Sequence, residues 1–161
     1  MSKTHSMRGI KYKDSVYTIN NGSLCDRCGA NDCPIHDDTN KCNSFIPILP
    51  FKEPIVGMET MFNTFRLGGA WMNRVDVGSV VALYNTRTKE LFGRATVEGI
   101  SVNITEEQSL LHGQYNHNLL EQDIPQYEIV ELINKRLKKA YGNMIFNNSS
   151  KTTVIYLKRI I

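Results

Sequence analysis

A chain of 161 residues, 41% hydrophobic and 22% charged, has the balance of a soluble globular protein and is long enough to bury a core of its own. No run approaches the ~20 apolar residues of a membrane helix, and the polar, basic opening residues 1–13 lack the apolar segment of an export signal. The net charge of +3 excludes little, and the expectation is a cytoplasmic protein, with no membrane partner, whose thiols stay reduced.

The first element in chain order is a cysteine cluster, Cys25-x2-Cys28-x4-Cys33-x8-Cys42, which uses every cysteine in the chain. A C-x-x-C pair presents two thiolates to one ion, and Gly29 directly after it suits a tight turn that aims backbone amides at sulfur. The surrounding turn formers (Asn20, Asn21, Gly22, Pro34, Asp37, Asp38) predict a loop-rich stretch that a metal would organise, zinc by first choice. His36 also has ligand spacing from Cys33. The all-cysteine set is favoured because it leaves no unpaired thiol, and four thiolates leave zinc no open position, which makes the role structural. Disulfides conflict with the expected compartment, and the spacings fit neither ferredoxin pattern.

Residues 44–54 carry Pro47, Pro50 and Pro54 and read as an extended connector. Residues 79–84 are rich in strand formers, a polar turn follows, and residues 91–97 alternate as a half-buried strand that residues 100–104 extend, predicting an antiparallel hairpin. Thr105-x-x-Gln108 has capping-box spacing and predicts a helix start, with an interruption near Gly113. A second helix is expected after Asp123 as its cap, with an apolar stripe of Ile129, Leu132, Ile133 and Leu137 and an end at Gly142. Residues 152–157 predict a last strand. The fold class is therefore α+β, with short strands able to close as a small β-barrel, two helices, and a loop-rich metal module in front. The boundary falls between residues 1–44 and 45–161.

Thr64-Phe65-Arg66, then Val77-Gly78-Ser79-Val80-Val81-Ala82-Leu83, then Gly93-Arg94-Ala95-Thr96-Val97, in that order and spacing, resemble the signature of ASCH domains, a group of PUA-like β-barrels. The resemblance covers residues 45–161 and leaves the cysteines outside it. It implies a cleft that binds nucleic acid, RNA before DNA, or a nucleotide-like ligand. Two departures stand out: Ser79 occupies a position that is usually acidic, and Met61 stands where relatives that hydrolyse acetylated cytidine carry a catalytic Lys. A thioether neither transfers a proton nor carries charge, so the resemblance to that hydrolase fails at a central group.

The candidate ligand-binding residues are Thr64, Arg66, Gly68, Gly69 and Trp71. A guanidinium recognises phosphate bidentately, the glycines allow close backbone approach, and a tryptophan can stack on a base. Each also has a plain structural reading: Arg66 paired with a carboxylate, the glycines in a turn, Trp71 in the core. His112, His117 and Glu98 are the groups that a ribonuclease or nucleoside-hydrolase alternative could draw on. Residues 129–161 hold seven Lys and Arg against one acid, whereas residues 51–128 hold six basic and ten acidic residues, an asymmetry that suits either a phosphate-facing surface or a cationic helix C-terminus followed by a solvated strand end. A protein-interaction module is the further alternative.

Overall fold

The computed structural model describes residues 6–30, 41–120, 122–142 and 150–161. Cys33 and His36 lie outside these. Two short strands, β1 (Ile10–Lys13) and β2 (Val16–Ile19), form a hairpin, and β3 (Lys41–Cys42) adds to β2, giving a three-stranded antiparallel sheet where the composition had suggested loops. Its inward residues are few but large. Tyr17 and Ile19 are buried, and the Tyr17 ring sits 4.7 Å from that of Phe45.

The larger sheet has five strands: β4 (Ile48–Phe51), β5 (Met61–Leu67), β6 (Val80–Asn85), β7 (Glu90–Ile104) and β8 (Lys151–Arg159). Their order is β4-β6-β7-β8-β5. β4 runs parallel to β6, every other pairing is antiparallel, and the sheet curls into a half-barrel. The β6–β7 hairpin and β8 fall where predicted. β7 joins the two anticipated segments into one long strand through an irregularity between Val97 and Gly99. β4 forms within the proline-rich connector because it is an edge strand, where a proline need not supply a ladder donor. β5 hides from pattern reading for another reason: Phe62, Asn63, Thr64 and Phe65 are all buried, so neither face shows the polar alternation of a half-exposed strand.

Two helices complete the α+β fold, α1 (Thr105–His112) and α2 (Gln126–Tyr141). Among the described residues no helix is long and apolar enough to cross a membrane. Helix α1 starts where the capping-box spacing placed it, but Thr105 does not cap it. Its hydroxyl bonds the Ser150 carbonyl (2.8 Å) and the Thr152 hydroxyl (2.6 Å), and the buried Gln108 amide donates to the Ser101 and Thr152 carbonyls (3.0 Å each). Tertiary partners on β7 and β8 outcompete the local cap, because burial makes an unmet hydroxyl or amide more costly than an open helix end. Asp123 does not cap α2 either, since the cap position is Pro125 without a side-chain bond. The apolar stripe holds: Ile129, Ile133 and Leu137 are buried and Leu132 is partly so, and the Gly142 amide closes the helix on the Lys138 carbonyl.

The main core crosses the boundary drawn at residue 44. Met7, Tyr17, Ile19 and Leu24 pack in one cluster with Leu49, Phe62, Trp71, Leu83, Val97 and Leu157. Tyr17 donates its hydroxyl to the Arg74 carbonyl, and Tyr12 donates to Asp76. A second cluster lies under α2, where Ile129, Ile133 and Leu137 meet Phe65 and Val154 of the sheet. Gly57 is the tightest point between β4 and β5. It sits at φ 70°, and a Cβ there would collide with the His117 backbone carbonyl. Gly57→Ala is expected to cost about 2–3 kcal/mol, from left-handed strain plus overpacking against backbone, read as a lowered urea midpoint at unchanged slope.

Candidate functional site

One side of β5, the segment following β4, the Asn116–Asn118 turn and α2 enclose a cavity of about 320 Å³. Phe51, Ile133 and Leu137 give it an apolar floor, and Arg66, Arg136, Lys139 and Lys52 bring four cationic side chains to its walls. The acid in that wall, Glu53, is already engaged. It pairs with Arg87 at 2.7 Å and accepts from the Asn85 amide at 3.1 Å, and those partners hold its pKa below the usual carboxylate value.

Arg66 is half-buried and held without a carboxylate. Its Nε donates to Thr64 Oγ1 (3.2 Å), and its guanidinium lies 4.6 Å from the centroid of the Phe51 ring. Burial lowers its pKa, but a guanidinium keeps its charge at any physiological pH. Among the described residues no acid pairs with Arg66. Stacked on one face and fixed at Nε, it presents its terminal nitrogens in a set geometry, which is the arrangement for bidentate anion recognition.

Gly68, Gly69 and Trp71 do not join Thr64 and Arg66. The Gly68 amide donates to the Lys151 carbonyl (2.7 Å) and its carbonyl accepts from Thr153 Oγ1 (2.6 Å), so its backbone groups serve the end of β5. Gly69 precedes a short 3-10 turn, Ala70–Asn73. Trp71 is 7% exposed within the main core, with the Arg74 guanidinium 5.0 Å from its ring centroid. It has no open face to offer a base. Sequence reasoning passed over Arg136, Lys139 and Lys52 as individual site residues. Arg136 lies three residues beyond the buried Ile133, on the flank of the apolar stripe, a spacing that could have placed it beside whatever α2 covers.

The two histidines lie apart. The His112 Nδ1 is 2.7 Å from the Tyr156 hydroxyl, away from the cavity. His117 lines the cavity but is buried edge-on between Phe51 and Phe62, with centroids 5.3 and 6.2 Å away. Burial first, then the nearby Arg66 charge, pushes its pKa down to about 3, and a hydrogen bond with the Val56 backbone opposes this in part. It is therefore neutral at physiological pH and cannot donate a proton as imidazolium. The unfolded chain takes up this proton near pH 6.5, whereas the folded chain does not until about pH 3. The unfolded state thus binds more protons in that window, and stability falls as pH drops through it. Between pH 7 and about pH 5 the expected loss from this residue is roughly 2 kcal/mol. Urea unfolding of wild type and His117→Gln at both pH values checks this, since the variant should lose that share of the slope.

Glu98 is exposed on β7 and Met61 is exposed at the start of β5 opposite Lys158; neither lines the cavity.

Cys25, Cys28 and Cys42 are half-buried in the N-terminal layer. Cys28 Sγ accepts from the amides of Ala30 and Ile46 (3.4 Å each), and Cys42 Sγ accepts from the amide of Ser44 (3.3 Å). Backbone amides aimed at sulfur are contacts of the kind that orient metal-ligating groups. Among the described residues no three Cys, His, Asp or Glu side chains are grouped to hold an ion by themselves. Gly29 proves to be selected by close approach: a Cβ there would strike the Cβ of Ala82 on β6. The Gly29 amide also bonds the Ile46 carbonyl at 2.8 Å, so the C-x-x-C turn is laid directly against the larger sheet.

Fold and site together define a small α+β protein whose curled half-barrel carries a cavity with cationic walls between sheet and helix. No protein-family model, curated protein or solved structure matches the chain.

Proposed function

We propose that this protein binds nucleic acid, RNA in preference to DNA, through the cavity around Arg66, with an ASCH-like half-barrel as its scaffold. The observation that carries the reading is Arg66, a half-buried guanidinium stacked on Phe51 with no acid partner among the described residues, beside Arg136, Lys139 and Lys52. Keeping four cations together beside a single acid that Arg87 already engages, among the described residues, costs folding energy through repulsion, a cost recovered when an anion arrives. Lys135 and Lys138 continue the positive charge along the exposed side of α2, where a strand's backbone can run. Binding fits better than turnover: His117 is held neutral, Glu53 is tied to Arg87, and Met61 supplies no proton-transfer group. The test is fluorescence anisotropy with short single-stranded RNA and DNA across a salt series. Affinity should fall steeply with salt and favour RNA, and an absence of binding at low salt would remove the proposal.

We further propose that Cys25, Cys28, Cys33 and Cys42 hold a structural zinc ion. The amide-to-sulfur bonds at Cys28 and Cys42 support it, as does the sequence spacing of all four. Its effect would be to pin the N-terminal sheet to the half-barrel, not to perform chemistry.

A further inference from the structure

We infer that the cavity selects a phosphate monoester, as found at the end of an RNA strand or on a free nucleotide, over an internal phosphodiester. This rests on the nucleic-acid reading and narrows it.

Three observations lead there. The first is charge. Arg66, Arg136, Lys139 and Lys52 face a wall whose acid, Glu53, is neutralised by Arg87 at 2.7 Å. A diester brings one negative charge, whereas a monoester brings ~1.5–2 at neutral pH and three terminal oxygens instead of two. The surplus of cations matches the monoester. The second is size. About 320 Å³ lies at the small end of ligand cavities, which suits a single nucleotide and not a run of them. The third is a link across the cavity. Lys52 Nζ donates to the Ala140 carbonyl at 3.1 Å, tying the segment after β4 to the last turn of α2. A strand threaded through would have to pass this link, whereas a strand end need only reach up to it. The fixed fork of Arg66 then pairs with two of the terminal oxygens, leaving the third for α2 cations.

The experiment uses one short RNA sequence in four forms: 5′-phosphate, 3′-phosphate, both ends hydroxyl, and a 5′-phosphate blocked as its methyl diester. A nucleoside monophosphate and the matching nucleoside serve as competitors. One monophosphorylated form should bind about tenfold tighter than the hydroxyl and blocked forms. Both Arg66→Gln and the exposed Lys139→Gln, which does not threaten the fold, should remove the difference, while Lys138→Gln should weaken all four forms alike. Competition by the monophosphate as strong as by the phosphorylated strand assigns the site to free nucleotides, and much weaker competition assigns it to strand ends; either outcome upholds the inference. Equal, salt-sensitive affinity for all four forms would overturn it and leave RNA binding standing. A preference that survives in both variants would also overturn it for this cavity. No binding of any strand or of the monophosphate at low salt would overturn both readings.

Discussion

Cys28→Ser is expected to lower the melting temperature by about 10 °C and to abolish stoichiometric zinc. Two backbone amides, those of Ala30 and Ile46, point at Cys28 Sγ. If the sulfur carried only those weak bonds, a serine hydroxyl could accept them and the change would cost under about 1 kcal/mol. If it is a zinc ligand, the loss reaches several kcal/mol, because metal binding in such modules is folding free energy. For a chain of this size 1 kcal/mol is worth about 2–4 °C, so a loss of about 4 kcal/mol gives the stated shift. Elemental analysis should find one zinc per wild-type chain, and a strong chelator should bring the wild type down to the variant's melting temperature without moving the variant. A wild type indifferent to chelation would reject the metal. The same measurement on Cys33→Ser, Cys42→Ser and His36→Ala decides between the all-cysteine set and one in which His36 replaces a cysteine. The effect should reach beyond the module, because Ile46 leads into β4 and the core residues Tyr17 and Leu24 pack with Phe62 and Leu157.

The second large effect is at Arg66. Arg66→Gln should weaken binding of single-stranded RNA about 10- to 50-fold and reduce the salt dependence by about one ion. Arg66→Lys keeps the charge, so the salt dependence should persist. Affinity should still fall, because an ammonium neither forks onto two oxygens nor stacks on Phe51 in the same way. Thermal stability of both variants separates lost recognition from lost fold. Arg66→Gln removes a half-buried charge and its desolvation cost, so it should leave the melting temperature unchanged or slightly raised. Equal affinity in wild type and both variants would move the binding site elsewhere on the surface.

Pattern reading succeeded where burial is one-sided and failed where it is not. In α2 the inward residues Ile129, Ile133 and Leu137 recur at helical spacing against a charged outer face, so period and boundary were both visible. The hairpin of β6 and β7 was visible because strand formers flank a polar turn. β5 carries Thr64 and Arg66, yet it was not recognised as a strand, since its centre is buried on both faces and its alternation is erased. The same loss of pattern struck β4, where three nearby prolines argued against a strand that survives by being at an edge. Thr105 and Gln108 marked the right helix start for the wrong reason: their side chains are taken by Ser150 and Thr152 of a distant segment and by Ser101 on the strand before the helix.

By itself the sequence determined the α+β class, the hairpin, the two helices and the thiol spacing that suits one metal ion. It also singled out Arg66. These are properties of short windows, where periodicity, turn chemistry and ligand spacing act between near neighbours. Only the tertiary structure decided that Arg66 has no carboxylate among the described residues, that Trp71 is spent on the core, and that Arg136 and Lys139 of α2 face Arg66 across one cavity. Those facts follow from the sheet order, which puts β5 beside β8 and lays α2 over them, and from the close seat of Gly29 on Ala82, which fuses the cysteine layer to the half-barrel. Convergence of charges from segments some 70 residues apart leaves no periodic trace in the chain, because it is set by how buried faces pack and not by the order in which they are strung.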